Sequence, residues 1–238
     1  MITKITCGNY GMGDLLLLTA ICKYFPKQFT IEIQESMSRF SIFFDGLADT
    51  EIIPNMEYKD LVEYEKVLPN IGRGHYATRQ LRNFFGSKAD VLDNRPIVMY
   101  TDTESETWVD NYLRDKPNPA IIAPMCSPNA KDIRGVSEKL ANNIANQLRN
   151  NGHTPIFSLS SSYEYNIQNY EKLIDLPIKR YICLMRRAGI YFGANTGDKH
   201  LAVAVGALTH VFQPAFDPKT FNPEEWCYNH PTVKYYTI

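Results

Sequence analysis

The sequence predicts an α/β chain made of two small Rossmann-like domains, with parallel sheets facing a cleft. Three observations predict it. Short β-branched runs alternate with longer apolar runs of helical spacing from Ile2 to Pro54, and again from Ala120 to Phe212. A proline-bearing stretch, KPNPA from Lys116 to Ala120, separates the two series. Each series carries a glycine loop between a strand and a helix: GNYGMGD early and GANTGD late. The expected domains are residues 1–116 and 117–238.

In the first series Ile2–Cys7 reads as a strand, and Asp14 opens an apolar helix that runs to Phe25 and stops at Pro26. FTIEIQ, Phe29–Gln34, alternates as a second strand. Met37–Phe44 reads as a helix, and Thr50–Ile53 as a short strand closed by Pro54. The middle is less regular. Strands are expected at Tyr64–Leu68 and Ile97–Tyr100, and helices at Tyr76–Phe85 and Ser105–Leu113. The second series places strands at Ala120–Ala123, Thr154–Leu159, Gly189–Phe192 and Leu208–Phe212. Helices are expected at Val136–Arg149, Ile178–Arg187 and Lys199–Val205, with Gly152 and Gly206 as stops. From Pro214 on, the tail reads as a surface crossing.

Composition excludes several classes. Of 238 residues, 44% are apolar and 21% charged, which excludes disorder and fibrous repeats. Lys plus Arg number 25 against 26 Asp plus Glu, a formal charge of −1, so nucleic acid is not an expected partner. The richest apolar run, Leu15–Ile21, is far short of the ~20 residues that span a bilayer. The N-terminus lacks the apolar core of a secretory signal. The expected home is the cytoplasm, with a peripheral position at the inner membrane as the open variant. Five dispersed cysteines without a CxxC pair argue against disulfides and a cysteine zinc site. HxxxH, HExxH and D-x-D spacings are missing, so neither a metal nor a cofactor is expected. His75, with Arg73, Arg79 and Arg82, reads as a solvated basic face or as a contact to an anionic acceptor.

The two loops carry the chemistry. The first has the spacing G-x-x-G-x-G-D (Gly8, Gly11, Gly13, Asp14), which is neither the dinucleotide fingerprint nor a P-loop. Asp14 either caps the helix, favoured by its dipole, or acts as a general base; the residues alone leave both readings open. In the second loop, Thr196 and Gly197 sit where a diphosphate could meet free N–H groups, with Lys199 and His200 adding charge or hydrogen bonds. The competing reading is a plain strand–turn–helix capped by Asn195 or Thr196.

Taken together, GMGDLLLLTA, FPKQFTIEI and AGIYFGANTGDKHLAVAVGA resemble glycosyltransferase family 9, which contains the ADP-heptose:lipopolysaccharide heptosyltransferases. The resemblance covers both ends of the chain and, weakly, Pro124–Leu148. It implies a GT-B architecture and an inverting, metal-independent transfer of a sugar, heptose-like or hexose, from a nucleotide-diphosphate donor to a glycan, lipid-linked or other hydroxyl acceptor. It implies that Asp14 is the general base, with Gly11 and Gly13 in the acceptor-side loop. It implies that Thr196, Gly197 and His200 contact the donor diphosphate, together with Lys131 or Arg134. Asn195 stands where the family usually has aspartate, the Trp-Pro that follows the basic residue in many members is absent, and the chain is shorter than typical members. These departures motivate an alternative, a non-catalytic module that binds a nucleotide, a sugar or a protein. A sugar-nucleotide epimerase is a third reading, from fold analogy alone.

Overall fold

The computed structural model describes residues 3–7, 11–55, 93–125, 135–162, 165–167, 169–213, 228 and 230–238. The chain divides into two compact units, Met1–Tyr100 with Pro218–Tyr228, and Thr101–Asp217 with Asn229–Ile238. Each is an α/β unit with a parallel sheet.

In the first unit β1 (Thr3–Cys7), β2 (Phe29–Gln34) and β3 (Asp49–Ile53) pair in sequence order, all parallel. Ile5, Cys7, Ile31 and Ile33 turn one face inward. Helix α1 (Met12–Cys22) is apolar on every side, and its residues Leu15–Cys22 are all buried. Its one interior polar residue, Thr19, is satisfied twice. The hydroxyl donates to Leu16 O at 2.7 Å and accepts from Ile97 N–H at 2.9 Å. The expected strand at Ile97–Tyr100 is therefore not one. Among the described residues, the 93–100 stretch runs over α1 and finds backbone partners in helix side chains, with Lys23 Nζ donating to Arg95 O at 2.7 Å. The expected helix Met37–Phe44 is a 3₁₀ run, Glu35–Phe44. Three residues per turn place Phe40 over Phe43, stacked at 5.4 Å and buried. Burial raises the Cys7 thiol and pushes that of Cys22 up to about 12, so both behave as small apolar groups.

The second unit holds α2 (Thr103–Leu113), β4 (Pro119–Ala123), α3 (Glu138–Asn150), β5 (Thr154–Leu159), β6 (Glu171–Ile174), α4 (Ile178–Ala188), β7 (Ile190–Ala194), α5 (Gly197–Ala204), β8 (Leu208–Gln213) and β9 (Val233–Thr237). α2 precedes the KPNPA stretch at which the sequence reading divides the chain, yet it packs on α4. Arg180 of α4 lies over the Trp108 ring at 5.0 Å, and Trp108 stacks on Tyr112 at 5.1 Å. The sheet order is β6-β5-β4-β7-β8-β9, all parallel. The chain thus runs outward from β4 on one side and then returns to build outward from it on the other. This is the doubly wound order, and its reversal point lies between β4 and β7.

Helix α3 covers one face. Ala141, Ile144, Ala145 and Leu148 pack on Ala120, Ile122, Phe157 and Leu159. It starts at Glu138, two residues later than the sequence suggests, and its N-cap is Ser137, whose hydroxyl accepts from Leu140 N–H. Helices α4 and α5 pack on β4, β7 and β8, and the alternate residues Ile121, Tyr191 and Val211, all fully buried, point away from α3. Gly189 ends α4 at φ 70°, a left-handed conformation that glycine adopts without strain.

Strands β6 and β9 lie outside the strands that the sequence predicts. β6 is an edge strand, EKLI, whose charges hide the alternation. β9 has a β-branched and aromatic signal, VKYYT, but follows a proline-bearing stretch that reads as surface. The expected elements at Tyr64–Leu68 and Tyr76–Phe85, and the basic group around His75, lie outside the described residues. No helix among the described residues is long and apolar enough to cross a membrane.

Candidate functional site

In a doubly wound sheet, ligands bind beyond the carboxyl ends of the strands at the reversal point. Here that point is the end of β4 at Ala123 and the end of β7 at Ala194. From β7 the chain turns through Asn195 and Thr196 straight into α5, so the first turn of that helix opens there.

The turn is tightly built from below. Gly193 has no room for a side chain, because a Cβ would overlap the Tyr191 hydroxyl and the Ala123 carbonyl oxygen. Tyr191 is fully buried, and its hydroxyl folds back toward Ala194 O at 3.5 Å. Thr196 N–H closes the turn on Ala194 O at 2.9 Å. Thr196 is the N-cap of α5, at φ −137°, but its side chain makes no cap hydrogen bond. Its hydroxyl instead lies 3.4 Å from Asp198 Oδ2. The Thr196 side chain therefore leaves the capping role open, while in the same turn the Asp198 carboxyl meets its own N–H.

Asp198 itself sits in that first turn. Burial pushes its carboxyl above the ordinary range, while the hydroxyls of Tyr181 and Thr196 pull it back. Burial likewise raises the phenols of Tyr181 and Tyr191 well above their usual value. The floor of the turn is thus lined by neutral hydroxyls.

Lys199 differs from expectation. The sequence reading offers its charge to a ligand at the loop, whereas its side chain is 0% exposed. Nζ donates to Asn195 Oδ1 at 2.6 Å, and Asn195 Nδ2 donates to Gln213 Oε1 at 2.9 Å. Asn195 is therefore a buried connector and not the cap. Gly197 is the first residue of α5 and His200 lies half-buried in its first full turn. Lys131 and Arg134 lie outside the described residues.

In the first unit, Gly11 is the N-cap of α1 and Asp14 its third residue. Asp14 Oδ2 accepts from Gly11 N–H at 2.9 Å, and Asp14 N–H donates to Gly11 O at 3.1 Å. Asp14 thus caps α1 and is held half-buried at its start, beside a half-buried Gly13. Among the described residues no group of three His, Cys, Asp or Glu side chains comes together as a metal site would require.

No protein-family model matches the chain. No curated protein matches it. Solved structures do. A glycosyl transferase family 9 structure from Veillonella parvula aligns over 99% of this chain and 86% of its own, at 8% identity and a TM-score of 0.70. E. coli ADP-heptose lipopolysaccharide heptosyltransferase II aligns over 99% of this chain and 90% of its own, at 10% identity and a TM-score of 0.63. An E. coli heptosyltransferase solved with ADP aligns over 99% and 92%, at 12% identity and a TM-score of 0.54. The chain has the α/β fold of these family 9 glycosyltransferases.

Proposed function

We propose that the chain is an inverting glycosyltransferase that moves a sugar from a nucleoside-diphosphate donor to a hydroxyl acceptor without a metal. The observation that carries the reading is the start of α5. It opens at the reversal point of a doubly wound sheet, its N-cap side chain does not cap it, and the fold around it is that of solved glycosyltransferases. A diphosphate meets the first N–H groups of α5 there, with Thr196, Gly197 and His200 around it. Lys131 or Arg134 adds a cation. Asp14 takes the acceptor's proton as that oxygen bonds to the anomeric carbon, while the bond from that carbon to the diphosphate oxygen breaks on the opposite face. The leaving group departs as an anion stabilised by the helix start.

One neighbour was solved with ADP and another is named for ADP-heptose, so ADP-linked sugars, heptose-like or hexose, are the first donors to try. A glycan or lipid-linked acceptor and a cytoplasmic place, peripheral to the inner membrane, go with this reading.

The test is release of nucleoside diphosphate from donor plus acceptor, in EDTA, by native protein and Asp14→Asn. Asparagine still accepts from Gly11 N–H, so the helix start stays capped. The rate is expected to fall by roughly 10²–10⁴-fold. Native turnover in the variant would leave Asp14 a cap only. Binding of donor without turnover by native protein would replace the reading with a non-catalytic binding module.

A further inference from the structure

We infer that Lys199 is a positioning residue for the donor diphosphate, acting through Asn195 to hold the turn from which α5 starts. The inference rests on the reading that the first turn of α5 meets the diphosphate.

Among the described residues, Lys199 is the one Lys, Arg, Asp or Glu that is fully buried. Lysine is almost never fully buried without a specific partner. Packing does not account for it, because a methionine fills similar space without desolvating an ammonium. What lysine supplies that methionine cannot is a cation, which lies over the Tyr235 ring at 5.9 Å, and a hydrogen bond. Nζ donates to Asn195 Oδ1 at 2.6 Å. Lysine only donates, so it fixes which end of the Asn195 amide faces it. The other end, Nδ2, then donates to Gln213 Oε1 at 2.9 Å, at the last residue of β8. All three residues are buried, Asn195 at 7% and Gln213 at 8% exposure.

The connection runs from the third residue of α5, across the turn, to the end of the neighbouring strand. Asn195 immediately precedes the N-cap Thr196, so its position sets where the N–H groups of Gly197 and Asp198 point. Those groups are the ones an anion would meet. Loss of a connector can displace such a turn by about 1 Å, enough to cost up to about 10² where geometry matters.

The test is calorimetric titration in EDTA of native protein, Lys199→Met, Asn195→Leu and Asn195→Asp. The probes are whichever of ADP, UDP, GDP and CDP the native chain binds best, and the matching nucleoside. Lys199→Met and Asn195→Leu are expected to weaken the diphosphate at least about tenfold and leave the nucleoside unchanged, because the turn meets only phosphate. Lys199→Met also leaves the buried Asn195 Oδ1 without its donor, so it is expected to melt below the native temperature, and the nucleoside probe separates that general loss from the loss at the turn. Asn195→Asp keeps an acceptor for Lys199, and the Gln213 amide can turn to donate to it, so it stays within about threefold of native. Native diphosphate affinity in Lys199→Met overturns the inference. Equal losses for nucleoside and diphosphate overturn it too, since they signal general damage. Should Lys199→Met not fold, the contrast between Asn195→Leu and Asn195→Asp decides. A native chain that binds no nucleoside diphosphate overturns the donor reading itself, whereas native binding with an indifferent Lys199→Met overturns the inference alone.

Discussion

Asp198 is an acid enclosed in the first turn of α5. Its carboxyl is raised by burial, with Tyr181 and Thr196 hydroxyls opposing the shift. A carboxyl raised in the folded state holds its proton more tightly than in the unfolded chain. Stability from this group therefore falls as pH rises above about 4, the ordinary Asp value, toward the folded value. Asp198→Asn is expected to remove that fall and to be more stable than native at neutral pH, measured as urea midpoints across the range. An unchanged pH slope would contradict the enclosure of the carboxyl. At this scale Thr196 and Gly197 were legible as the turn into a helix, because threonine and glycine are turn chemistry. The full burial of Lys199 was not, because a lysine read from sequence is a surface residue by default and only its tertiary partners say otherwise.

Among elements, α1 departs furthest from a surface helix. A helix apolar on every side must be covered on every side. The 3₁₀ run Glu35–Phe44 covers part of it, and the irregular stretch 93–100 crosses it, tied by Ile97 N–H to the Thr19 hydroxyl. Thr19→Val keeps the shape and deletes the acceptor, leaving a part-buried N–H without it. The expected loss is about 1–2 kcal/mol in denaturant unfolding, at an unchanged denaturant slope. A neutral result would show that Ile97 N–H finds water instead. Strong periodic elements such as Thr154–Leu159 were legible to the residue. The misses share a cause: partners outside the segment decide. Ile97–Tyr100 has strand composition but bonds to a helix side chain, and β6 is a strand only because β5 lies beside it.

For the whole molecule, two α/β series were legible because strand and helix periods alternate through both halves of the chain. The strand order was not, since which neighbour a strand chooses depends on the crossovers. That order matters most for function, because it places the reversal point between β4 and β7 and so brings the start of α5 to the ligand end of the sheet. The place of α2 with the second unit was also not legible, as it follows from the Arg180–Trp108 contact across more than seventy positions of sequence.

The central claim is that this sheet end takes a nucleoside diphosphate without metal, and thermal denaturation in EDTA tests it most directly. At about 100 times its Kd a bound nucleotide stabilises by roughly 2.7 kcal/mol, a rise of roughly 5 °C or more for a chain of this size. Selective stabilisation by one of ADP, UDP, GDP or CDP, retained in EDTA and absent with the matching nucleoside, is the predicted result. No rise with any of the four, or a rise that EDTA abolishes, would contradict it.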